Sequence, residues 1–199
     1  MKIVNAELIK DLSKKDLSYG RGSTRQAFLI QNSILKLPRY SNKFNLSFKY
    51  EVSDIIKFNV YLRGLNQMLK EIQIYKEGLF NDIIVPIEDY GVLNGQLYTL
   101  NKKIAPANIC LDDENFNLEY FCKKMGCLED YPHLIKKIEE MAIHYDLDLN
   151  DLIDNEDNFG YDYERKSVLL LDYGFNEEVD YGDIAQLLIK NKEKLKKYI

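Results

Sequence analysis

Residues 20–38 read Gly20-Arg21-Gly22-Ser23-Thr24-Arg25-Gln26-Ala27-Phe28-Leu29-Ile30-Gln31-Asn32-Ser33-Ile34-Leu35-Lys36-Leu37-Pro38. Two short apolar runs, 27–30 and 34–37, flank the polar triplet Gln31-Asn32-Ser33, and Pro38 stops the second. That pattern predicts an antiparallel hairpin. Gly20 and Gly22 stand just before it and predict a turn. Without side chains, their backbone amides can come close to the oxygens of an anion. A lysine on the paired strand, Lys36, can reach the same anion as a point charge. A strand follows the glycines, where a dinucleotide fingerprint would have a helix, and no GK[ST] completes a Walker A loop. Taken alone, the segment also fits an ordinary glycine hairpin with a surface lysine.

Around this segment the periodicity changes twice. Residues 1–17 read as a short helix or lead-in, and 40–54 as a loop. From Ile55 to about Glu77 the apolar residues Phe58, Leu62, Leu65, Met68, Leu69, Ile72 and Tyr75 recur at helical spacing. Gly64 predicts a kink there, or a junction of two helices. Glu71 lies deep within this segment. A second hairpin follows, 87–93 against 96–100, around Asn94-Gly95, the preferred type I′ turn. After Ala105-Pro106 the chain reads as helix at 116–125, 131–147 and 183–198. A buried strand, Ser167 to Asp172, follows the polar turn 162–166. Strand-rich then helix-rich halves predict an α+β protein of two lobes, residues 1–104 and 105–199, joined near 101–105.

Composition narrows the classes. With 46% hydrophobic and 30% charged residues the chain can bury a core and is not disordered throughout. A net charge of −5 argues against a general nucleic-acid binder. The basic run Lys190 to Lys197 reads as a solvated helix face. No apolar stretch approaches the roughly 20 residues needed to span a bilayer, and residues 1–15 lack the long apolar segment expected of a signal peptide. Cys110, Cys122 and Cys127 lack CxxC spacing, which argues against a zinc site or a disulfide framework. A cytoplasmic protein with reduced thiols is expected. His133 and His144 suggest no site, and the many tyrosines are expected to fill the core and its surface.

One further constellation carries chemistry. Asp154-Asn155-Glu156-Asp157-Asn158-Phe159-Gly160 precedes Ser167-Val168-Leu169-Leu170-Leu171-Asp172-Tyr173-Gly174. A buried strand ending in Asp172 presents a carboxylate at its mouth, and Asn158 on the adjacent loop adds a neutral oxygen. Magnesium prefers such hard oxygen ligands. A purely structural hairpin with a polar turn would look similar.

In this order, Gly-rich hairpin, strand lysine, helix glutamate, Asn-bearing loop and Asp-aromatic-Gly, the chain resembles the protein-kinase-like superfamily over roughly residues 18–176. With NFG and LLLDYG it looks most like the small kinase-like proteins of phage and bacterial genomes. The resemblance implies that Gly20, Gly22, Ser23 and Ala27 cradle a nucleotide, with Arg25 where the third glycine would stand. It implies that Lys36 pairs the phosphates, that Glu71 holds Lys36, and that 101–104, including Lys102 and Ile104, form the hinge beside adenine. Asn158 and Asp172 would hold Mg2+ for ATP. The expected activity is phosphoryl transfer to a protein; the alternative is a pseudokinase that binds and regulates a protein partner. Ile153 occupies the position of the catalytic base, five residues before Asn158. Asp154 is one residue late, and Asp151 fits if the loop is two residues longer. No HRD triplet and no APE-like segment are present, so the usual peptide platform is expected to be largely absent.

Overall fold

The computed structural model describes residues 4–12, 20–21, 24–41, 43, 55–110 and 116–174. Gly22, Ser23, most of 40–54 and the expected helix 183–198 lie outside them. The protein is α+β. Its described residues fall into two compact units, 4–72 with 87–102, and 73–86 with 103–174.

The first unit is built on an antiparallel sheet. In chain order its strands are β1 (Gly20–Arg21), β2 (Arg25–Ile30), β3 (Ser33–Pro38), β4 (Ile87–Leu93) and β5 (Gln96–Lys102). Their spatial order is β1-β2-β3-β5-β4. The predicted β2–β3 hairpin forms, with Leu29 opposite Ile34 and Ala27 opposite Lys36. Its turn closes at Gln31, with φ 55°, so Ser33 already pairs with Ile30. The β4–β5 turn is left-handed at both Asn94 and Gly95, at φ 53° and 73°, as a type I′ turn requires. Gly20 belongs to a strand, opposite Ala27, where a turn was expected.

Register sorts the side chains by face, because directly opposed residues of antiparallel strands point to the same side. Phe28, Leu35, Leu37, Tyr98 and Leu100 share one face. Val4, Ile9 and Leu12 of the first helix, α1 (Ala6–Leu12), and its lead-in cover them. Each such side chain fully buried contributes roughly 1.5–3 kcal/mol. The Tyr98 hydroxyl donates to Asp89 at 2.9 Å; burial first, then this bond, raises its pKa. Arg25, Ala27, Lys36 and Thr99 lie on the opposite face.

The second helix, α2 (Ile55–Glu77), is one continuous helix of 23 residues, so the break expected at Gly64 does not occur. Its glycine answers a tertiary demand. A Cβ there would collide with the main-chain oxygen of Thr24 and come within 3.3 Å of the Pro38 Cα. The α2 residues from Gln73 onward group with the second unit.

In the second unit a three-stranded sheet runs β6 (Ala105–Pro106), β7 (Phe159–Asp162), β8 (Ser167–Leu170). Around it stand α3 (Ala107–Cys110), α4 (Leu118–Lys124), α5 (Tyr131–Tyr145) and α6 (Leu149–Asp154). Residues 83–85 add a parallel bridge, with Val85 N donating to Leu170 O and Leu170 N to Ile83 O, both at 2.8 Å. The core joins Ile84, Phe121, Ile138, Met141, Leu152, Phe159, Leu169 and Tyr173. Cys122 and Cys127 are buried within it as free thiols, and burial pushes the Cys122 thiol up to about 12. Among the described residues, no helix is long and apolar enough to cross a membrane.

In an ordinary helix interior, Gly→Ala stabilises by about 1 kcal/mol. For Gly64→Ala the sign should reverse, with a loss of about 1–3 kcal/mol from overpacking. Urea denaturation followed by circular dichroism measures this, and a gain in stability would contradict the close approach of Thr24 to α2.

Candidate functional site

Two groups of residues carry the candidate chemistry, one in each unit. In the first unit it centres on Glu71, completely buried on α2. Lys36 on β3 reaches Glu71 Oε1 with its Nζ at 3.6 Å. The same oxygen receives Arg25 Nη1 at 2.7 Å. Both cationic side chains are themselves largely buried. Sheet register explains their meeting. Arg25 and Ala27 are two apart on β2, so they share a face, and Ala27 stands opposite Lys36.

Helix geometry supplies the other side. Positions 64, 67 and 71 lie along one side of α2, because residues three to four apart are neighbours on a helix. Gly64 meets the Thr24 carbonyl, and Gln67 Oε1 accepts from Thr24 Oγ1 at 2.8 Å. Glu71 takes Arg25. Thr24 and Arg25, at the start of β2, are therefore fastened to α2 by three successive contacts. Arg39 N donates to Thr24 O at 2.8 Å and fixes that carbonyl from β3's end.

The predicted Lys36–Glu71 pair thus exists, and Arg25 is the partner that was missed. By analogy it stood for a loop glycine. The available signal was parity: 25, 27, 36 and 38 share one face once the hairpin register is set. Ala27 lies on that face beside Lys36, and Gly20 pairs with it through the backbone. Lys102 stands opposite Ser33, so its side chain belongs to the other face, the one α1 covers. Ile104 falls in the second unit, buried in its core.

In the second unit the β7–β8 hairpin brings Asn158 and Asp172 to one end. Phe159 pairs with Leu170, and one residue further out Leu171 N donates to Asn158 O at 2.7 Å. Tyr173, fully buried, anchors the residue after Asp172 in the core. The Asn158 side chain donates its Nδ2 to the main-chain oxygen of Asp151 at 2.6 Å. That bond leaves Oδ1, the atom a hard cation would take. The donor set, one carboxylate and one amide oxygen, fits magnesium completed by water and phosphate oxygens. Among the described residues, no group of three or more His, Cys, Asp and Glu is placed to hold a metal ion.

The expected base candidates, Asp151 and Asp154, and Ile153 between them all lie on α6. Asp148 caps this helix, accepting from Asn150 N and Asp151 N at 3.0 and 3.1 Å. Leu152 is fully buried, and Ile153 packs against the core. Asp151 is half-buried and joined to Asn158 through its carbonyl, whereas Asp154 is exposed at the helix end. His133 is exposed and bonded to Asp82 at 2.9 Å, and His144 is also exposed. No protein-family model matches this chain, and no curated protein is similar enough to count as a relative.

Removing one partner of a buried ion pair leaves an uncompensated charge and costs about 3–5 kcal/mol. Glu71→Ala should fall in that range, since Arg25 and Lys36 both lose it. Denaturant midpoints of wild type and variant measure the loss. A change under about 1 kcal/mol would place Glu71 among weakly coupled surface-like pairs and contradict the arrangement.

Proposed function

We propose that this chain is a small two-lobed protein of the protein-kinase-like superfamily. In this reading it binds ATP with magnesium and transfers a phosphoryl group to a protein. The observation that carries the reading is the buried ion pair between Lys36 of β3 and Glu71 of α2, in the unit whose sheet begins at Gly20. A lysine so held presents a fixed positive charge for phosphate oxygens. Gly20, Gly22, Ser23 and Ala27 would cradle the phosphates, and the 101–104 segment would lie beside the base, with Lys102 contributing through its main chain. Asn158 and Asp172 would hold Mg2+, which neutralises charge on the phosphates when bound. The compartment proposed is the cytoplasm, supported by the buried free thiols.

For transfer, an acceptor hydroxyl must lose its proton as its oxygen bonds to phosphorus and the bond to the nucleotide breaks. Asp151 is the base in this reading. What supports it is its tie to Asn158, whose amide donates to the Asp151 main-chain oxygen. A second reading, a pseudokinase that binds and regulates a partner protein, is favoured by Ile153. That residue stands at the usual base position and packs into the core.

Incubation with γ-labelled ATP and magnesium separates the two. Transfer to the chain itself or to an added protein is expected in wild type. It should fall by about 10²–10⁴-fold in Asp151→Ala and stay near wild type in Asp154→Ala. Asp172→Asn should abolish the magnesium dependence of nucleotide affinity. Nucleotide binding without any transfer in wild type would select the pseudokinase, and equal transfer in wild type and Asp151→Ala would remove Asp151 as the base.

A further inference from the structure

We propose that Arg25 is a positioning residue. It anchors the Glu71 carboxylate, and through that carboxylate it sets the hold on Lys36. The consequence for phosphate affinity rests on the function proposed above, but the anchoring itself does not. Both cations address one oxygen, Glu71 Oε1, and Arg25 is nearer, at 2.7 Å against 3.6 Å for Lys36. The contact is an ion pair through a single nitrogen, Nη1, and its charge lies closer to the carboxylate than that of Lys36. The Arg25 backbone is constrained as well. Neighbouring Thr24 is bonded to Gln67 and pressed against Gly64, so the guanidinium enters from a segment already fastened to α2.

Arg25 thereby takes the shorter contact, and Lys36 keeps the longer one. Glu71 thus serves as the countercharge for both cations. Without Arg25 the carboxylate would draw Lys36 closer and hold its proton more firmly. Arg25, at the start of β2, thus tunes the lysine one strand away.

The test is acylation of Lys36 by an amine-reactive probe at one fixed pH, read by peptide mass spectrometry on the full chain without nucleotide. Arg25→Met should slow labelling of Lys36 by about threefold or more, given that one pKa unit is tenfold in free amine. Arg25→Gln, which keeps a polar side chain beside Glu71 without the charge, should act in the same direction and serves if Arg25→Met does not fold. Arg25→Lys should recover a rate within about twofold of wild type. If Arg25 only braces the fold, both neutral variants expose Lys36 and label it faster. A faster or unchanged rate in the folded neutral variants overturns the proposal. In parallel, ATP affinity should weaken in Arg25→Met and return in Arg25→Lys. A wild type that binds no ATP would defeat the functional reading and leave the labelling result standing.

Discussion

The carboxylate of Glu71 receives two cations from two different strands in a place where water does not reach. Charges buried this way stay ionised only if they are paired with good geometry, and here the geometry is set by three independent elements. The β2–β3 register puts Arg25 and Lys36 on one face, and α2 puts Glu71 over that face. Gly64 lets the Thr24 carbonyl close against the helix. Loosen any of these and the pair becomes a cost. The same constraint makes the site plausible chemically, because a lysine fixed by a buried carboxylate presents its charge in one place.

The second unit solves a different problem. Its hairpin leads to Asp172, which has an anchor on either side. Tyr173 is buried after Asp172, and Leu171 is bonded to the Asn158 carbonyl before it. Asn158 in turn spends its amide hydrogens on Asp151. One amide thus joins the candidate base to the candidate cation ligand, while Leu152 and Ile153 commit the intervening turn of α6 to the core.

Much of this was legible in the sequence wherever the signal is local. Short apolar runs bounded by turn residues, and Asn94-Gly95, marked the hairpins, and the helical period marked α2 nearly to its ends. Lys36 and Glu71 could be named from their places on those elements. What was missed depends on tertiary contact. Gly64 looked like a weak point because propensity counts only the helix, whereas the Thr24 carbonyl decides it. Arg25 matches by position the place of a third glycine, and its role appears only once the strand register is known. The short helices α3 and α6, of four and six residues, are too brief for periodicity to show. A cap at Asp148 and core contacts define α6. Ile153 could be recognised as a poor base, but that it belongs to the core could not be read from its neighbours in the chain.

The central claim is that the Glu71-held lysine serves a nucleotide. Isothermal titration of the wild-type chain with ATP at millimolar magnesium, beside Lys36→Met, tests it most directly. The account predicts a saturable heat for wild type and a loss of at least about tenfold in affinity, or roughly 1.4 kcal/mol, for Lys36→Met. Equal affinity in both proteins, or no binding by a folded wild type, would contradict it.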